Sequence, residues 1–183
     1  MVHLTRRQWL EEGLALLEEA SAEALTIESL TSRLGVTKGS FYHHFTNYQD
    51  FKQGLLSFWE EEGTLRIIHW AEQEASPPEK LARVMRASLP PSRLDVALRA
   101  WALQDDQVRV YQQRIDQQRL AYLESVVFAA RADRLYAQRL ARLLYSLYVG
   151  SQHLLPPIQG EDLGALYQFV QQWFIKESQQ CLS

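Results

Sequence analysis

The 183-residue chain contains a single cysteine, Cys181, near its C-terminus, so it can build neither an intrachain disulfide nor a thiolate metal cluster. That favours a reducing compartment, and a cytoplasmic protein is expected. No apolar run approaches the ~20 residues that a membrane-spanning helix needs, and the first residues lack the hydrophobic core of a secretory signal. No alternating run long enough for a strand stands out, nor does an internal repeat or a low-complexity segment. Catalytic signatures are missing as well. There is no Gly-rich phosphate loop, no Gly-x-Ser-x-Gly elbow and no His-Glu-x-x-His pair, and none of the five His residues follows a Glu by three positions as a di-iron bundle requires. Glu60-Glu61-Glu62 reads as a solvated face rather than a metal site. No catalytic residue, metal or cofactor is assigned, and the chain is not expected to be an enzyme. Positive charge is scarce too: 19 Lys and Arg against 22 Asp and Glu argue against indiscriminate nucleic-acid binding. Arg33 to Lys52 nevertheless holds Arg33, Lys38 and Lys52 against Asp50 alone, which leaves room for a small local patch.

What is present is helical periodicity throughout, with 46% hydrophobic and 11% aromatic residues to fill a core. Thr5 to Ala20 carries Trp9, Leu10, Gly13, Leu14 and Leu17 on one stripe, as a packing helix does. Thr26 to Asp50 holds the sharpest local signals. Ile27, Leu30 and Leu34 form an apolar stripe, Thr26 can cap its start, and Gly35 stands where a helix end wants positive φ. Thr37 is then placed as the N-cap of a second helix, with Phe41 and Phe45 facing inward and Lys38, Gly39, Tyr42 and His43 facing out. Asn47 with Asp50 opens the next helix. Two short helices joined by a Gly turn match a helix-turn-helix, whose second helix enters the DNA major groove. Thr37 and Ser40 offer hydroxyls, Lys38 a cation, Gly39 a close approach, and Tyr42 and His43 donors for phosphate oxygens. The same spacing also suits two short helices that merely contribute to an all-helical core.

From Tyr48 the apolar pattern runs through Phe51, Leu55, Phe58, Trp59, Leu65, Ile68 and Trp70, predicting a long helix bent near Gly63. Ser76-Pro77-Pro78 breaks it and a helix from Glu79 to about Ser88 follows. Further helices are predicted over Leu94 to Leu103, from Asp105 or Asp106 through Val127, from Ala132 or Asp133 through Leu155, and beyond Pro156-Pro157. The last two carry broad apolar stripes, Leu140, Leu144, Leu147 and Ser151 on one and Leu166, Phe169, Val170 and Trp173 on the other. Stripes so broad in a chain of this size suggest a bundle shared with a second copy.

The run LTIESLTSRLGVTKGSFYHHFTNYQDF resembles the DNA-binding domain of the TetR family of bacterial transcriptional regulators. Gly35, Val36, Thr37, Gly39, Phe41, Tyr42 and Phe45 match that family's pattern, while Tyr48 stands where the family often carries Lys, and Ser21-Ala22 where it usually has Gly and an aromatic. The resemblance implies an all-α protein with an N-terminal three-helix helix-turn-helix domain over residues 1–47 and a C-terminal ligand-binding and dimerisation domain over 48–183. It implies a ligand-responsive regulator, expected to be a repressor, binding a palindromic operator in double-stranded DNA as a homodimer through Thr37, Lys38, Gly39, Ser40, Tyr42, His43 and Tyr48. It also implies an effector pocket among the later helices. Trp59, Trp70, Trp101, Tyr122, Tyr145, Tyr148 and His153 are the candidates, suited to an apolar or aromatic small molecule with His153 as polar anchor. The alternative is a helical carrier or enzyme whose helix-turn-helix is purely structural.

Overall fold

The computed structural model describes residues 4–90 and 92–180, and side chains up to residue 172; Cys181 and the side chain of Trp173 lie outside the described residues. The described chain is all-α, as the periodicity implies.

Helix α1 (Arg6–Glu19) begins at a reciprocal cap, in which the Gln8 N–H donates to the Thr5 hydroxyl at 3.3 Å and the Thr5 N–H donates to the Gln8 side chain at 2.8 Å. After a 3₁₀ turn, α2 (Ile27–Leu34) starts at Thr26, whose hydroxyl accepts from the Ser29 N–H at 3.1 Å. Gly35 ends it in the left-handed region at φ 65°, and the Val36 N–H donates back to the Thr31 carbonyl at 3.0 Å. Helix α3 (Lys38–His44) follows from Thr37, and α4 (Tyr48–Glu60) from Asn47, whose side chain accepts from the Asp50 N–H at 3.0 Å. A Cβ at position 35 would meet nothing within 4 Å, so Gly35→Ala carries only the conformational cost, about 1–2 kcal/mol. Urea unfolding should show that loss, and an unchanged midpoint would mean that the turn relaxes freely.

The long helix expected from Tyr48 is interrupted near its predicted bend. A π turn at Glu61–Leu65 separates α4 from α5 (Arg66–Ala71). Gly63 leaves room there for the Trp59 ring, which a Cβ would approach within 2.8 Å and have to displace. Ser76 then opens α6 (Pro77–Ala87) by donating to Glu79 through its N–H at 3.1 Å and its hydroxyl at 2.7 Å, with Pro77 at the first helical position. The remaining helices are α7 (Arg93–Ala102), α8 (Asp106–Arg131), α9 (Arg134–His153) and α10 (Gly160–Gln180). Asp133 caps α9 by accepting from the Tyr136 N–H at 2.9 Å.

The chain packs as two compact units that are not successive in sequence. One comprises residues up to Gly63 together with Arg93–Ile115, and the other Thr64–Ser92 together with the chain from Asp116 onward. The first unit buries Trp9, Leu17, Leu30, Phe41, Phe45, Phe51 and Leu55 with Leu98 and Val108 from α7 and α8. Its aromatic centre is packed edge to face, Trp9 on Phe41 at 5.5 Å between ring centroids and Phe45 on Phe51 at 5.2 Å. Lys52 is buried in this unit and pairs with Asp105, which also caps α8 by accepting from the N–H groups of Gln107 at 3.0 Å and Val108 at 3.1 Å. In the second unit, Leu140 and Leu144 of α9 meet Leu163 and Tyr167 of α10, with Leu81, Met85 and Leu89 of α6 against them. No helix among the described residues is long and apolar enough to cross a membrane.

Candidate functional site

The turn at Gly35 and the aromatic pair Phe41 and Phe45 fix α3 in place. Phe41 and Phe45 are fully buried, so the helix has one rotational setting and turns its other face outward. On that face Thr37, Lys38, Gly39, Tyr42 and His43 are exposed and Ser40 is half-buried. Tyr42, 56% exposed, stands edge-on to Phe41 at 5.4 Å, which holds its phenol outward without burying it. The His43 ring lies 5.3 Å from that of His44, and His44 in turn lies 6.4 Å from Trp9. Tyr48 has a different setting from the other six. It is half-buried with its ring 6.0 Å from Phe51, and burial, followed by the charge of Asp105, raises its phenol above the ordinary value.

Charge around this face departs from the expected local patch. Arg33 is held by Glu19 at 2.6 Å and by Glu12, Lys38 by Glu28, and Lys52 by Asp105. Arg6 reaches Asp50 at 3.4 Å and lies over the Phe45 ring, and Arg7 reaches Glu11 at 2.7 Å and Glu62 at 3.1 Å. Hydrogen bonding to Glu28 raises the Lys38 ammonium, and the same contact lowers the Glu28 carboxyl, so both stay ionised. Sequence reasoning missed Glu12, Glu19 and Glu28. Their only signal was position, since Glu28 falls in the first turn of α2 on the side away from Leu30.

The effector candidates divide between the units. In the first, Trp101 is buried with the Lys52 ammonium 5.4 Å from its ring, and Trp59 lies against Gly63. In the second, Tyr145 donates to Asp116 at 2.8 Å and stacks on Tyr148 at 6.2 Å, while Tyr122 donates to Glu72 at 2.8 Å. Burial raises the Tyr122 phenol, and the Glu72 hydrogen bond raises it further. Trp70 is exposed beneath the Arg83 guanidinium at 4.6 Å, and the exposed His153 ring holds the Val149 carbonyl of its own helix at 2.8 Å. A surface groove of this unit is lined by Ala121, Glu124, Ser125, Phe128 and Arg134, with none of these candidates among them.

The two apolar stripes also divide by burial. Leu140, Leu144 and Ser151 are buried within the protomer, so their side chains already serve its own core. Leu147, Leu166 and Val170 are half-buried and Phe169 is 68% exposed. No group of three or more metal-ligating side chains occurs among the described residues.

Residues 10–53 match the family of bacterial regulatory proteins called tetR, a span that covers α2, the Gly35 turn and α3. No curated protein is significantly similar to the chain in sequence. Among solved structures, a transcriptional regulator from Rhodococcus sp. Rha1 has the same fold, with a TM-score of 0.76 at 15% identity over 95% of this chain and 97% of that one. A transcriptional regulator of the TerR/AcrR family from Aquifex aeolicus VF5 is similar at a TM-score of 0.67 and 16% identity, over 97% of this chain and 99% of that one. Residues 10–53 thus carry the N-terminal domain of the tetR family of bacterial regulatory proteins, and the chain as a whole has the all-helical fold of these two solved regulators.

Proposed function

We propose that the protein is a cytoplasmic transcriptional repressor that binds a palindromic operator as a homodimer and releases it on binding a small apolar or aromatic effector. Residues 1–47 would carry the DNA contacts and residues 48–183 the effector site and the dimer, with no catalytic role. The observation that carries this reading is the outward face of α3, where Lys38, Gly39, Tyr42 and His43 stand exposed over a fully buried Phe41. Such a helix presents hydroxyls, a cation and ring donors to a groove while its inner side is locked. Thr37 and Ser40 would add phosphate contacts. Tyr48, half-buried, would contribute only at the edge of the interface.

Two copies would set their α3 helices about one DNA turn, ~34–36 Å, apart, which demands an operator of matching symmetry. Selection of duplexes from a randomised pool, followed by gel shift against competitor DNA, tests the reading. A palindrome that survives competitor supports it, and a carrier or enzyme with a structural helix-turn-helix should retain no duplex at all. Tyr42→Ala should weaken operator binding by roughly 1–3 kcal/mol while leaving the unfolding midpoint in place, because the side chain is exposed. Unchanged affinity would remove Tyr42 from the interface.

For sensing, the proposed site draws on the candidates of the second unit, Trp70, Tyr122, Tyr145, Tyr148 and His153. An effector needs only to prefer the DNA-incompetent state, and a preference of about 100-fold, ~2.7 kcal/mol, suffices to release an operator of ordinary affinity. Compounds that quench Trp fluorescence yet leave operator affinity unchanged at saturation would refute the sensing step.

A further inference from the structure

Over residues 4–63 ten carboxylates share the chain with five cations, and each of those cations is engaged by a carboxylate. The engagements differ in how readily they exchange. Lys52 is buried against Asp105, Arg33 is gripped by two carboxylates, and Arg6 is caught between Asp50 and the Phe45 ring. Arg7 is shared between Glu11 and Glu62, and the Lys38 pair is the most exposed of the five. Lys38 and Glu28 are 57% and 67% exposed, and Lys38 sits at the first position of α3, one turn before Tyr42. An exposed pair is weak, so a phosphate oxygen arriving at this face can replace the carboxylate at small cost.

We propose that Glu28 tunes the DNA affinity of the α3 face by acting as an internal stand-in for phosphate on Lys38, which duplex DNA must displace. The proposal rests on the DNA-binding reading. A lysine already neutralised by its own protein contributes less to counterion release when DNA binds, because the carboxylate it leaves behind must then find its own cation from solution. Phosphates are alike in every sequence, so the competition lowers affinity for specific and mixed-sequence duplexes by the same factor. It therefore sets how tightly the protein binds without altering which sequence it prefers.

The experiment measures anisotropy of two labelled duplexes, one selected from the randomised pool by the full-length protein and one of mixed sequence, over a series of salt concentrations. Wild type, Glu28→Gln, Lys38→Ala and the double variant are compared, with unfolding midpoints confirming that all four are folded. Glu28→Gln should tighten both duplexes by roughly two- to fivefold and steepen the salt slope by about one further counterion. In the Lys38→Ala background the same change should have no effect on either quantity. Unchanged affinity of Glu28→Gln, or an equal gain with and without Lys38, overturns the proposal; the second result would mean that Glu28 acts by repulsion alone. Failure of wild type and Glu28→Gln alike to hold any duplex would overturn the DNA-binding reading itself.

Discussion

Replacing Asp105 by Ala should destabilise the first unit by about 3–5 kcal/mol, the cost of leaving a buried charge without its partner. Lys52 is 6% exposed at its side chain and Asp105 is its carboxylate, 53 residues away in sequence. Asp105 also holds the N–H groups of Gln107 and Val108, so the same substitution removes the cap of α8, worth about 1 kcal/mol. Asp105→Asn separates the two losses, because an amide oxygen still caps while the charge is gone. Lys52→Met should cost much less than Asp105→Ala, since an apolar side chain of similar length is at ease beside Trp101. Urea unfolding of the three variants gives the comparison, and a loss of under about 1 kcal/mol in Asp105→Ala would show that Lys52 finds water.

The pair also predicts an acid response. Burial alone would push the Asp105 carboxyl up, but the hydrogen bonds from Lys52 and the Val108 N–H, with the Lys52 charge, bring it below the ordinary value. A depressed folded-state value stabilises the protein at pH above the unfolded-state value and is lost as pH falls through the folded one. Wild type should therefore lose this contribution below about pH 4. Asp105→Asn should lack that part of the acid slope.

The legible parts of this fold are those decided within a turn of chain. Thr26, Gly35 and Asn47 each act on groups one to five residues away, so their caps could be read directly. The inward setting of Phe41 and Phe45 was legible for the same reason, and with it the exposed face of α3. Pairings across the fold were not. Nothing local in Arg93–Ala102 says that α7 packs beside α1 in the first unit, or that Lys52 is buried rather than offered to DNA. The cations around α3 were visible as residues, but their carboxylates come from α1 and α2 and, for Lys52, from Asp105 just before α8, and they cancel the patch that Arg33, Lys38 and Lys52 suggested. Stripe width misleads in a related way. An apolar stripe on α9 states that one side is buried, yet Leu140 and Leu144 meet their own protomer while Phe169 on α10 remains uncovered.

Phe169→Glu should convert the proposed dimer to monomers. Phe169 is 68% exposed, with Leu166 and Val170 half-buried on the same helix, so an apolar surface of α10 is left open by the protomer's own packing. In the free protomer a glutamate at 169 would face water and should barely move the unfolding midpoint. In a dimer joined through this face it would be desolvated without a partner, a cost of about 3–5 kcal/mol, or roughly two to four orders of magnitude in the dimer dissociation constant. Leu140→Glu and Leu144→Glu are the contrasting pair, because at 4% and 3% exposure they place the charge inside the protomer and should unfold the second unit rather than dissociate it. Sedimentation distinguishes the outcomes: a folded monomer for Phe169→Glu, and loss of helical signal or aggregation for the other two. Operator affinity should fall with the dimer, since a monomer engages one half-site and forfeits the second set of contacts. A Phe169→Glu protein that sediments as a dimer at wild-type concentration would place the interface on another face of the chain.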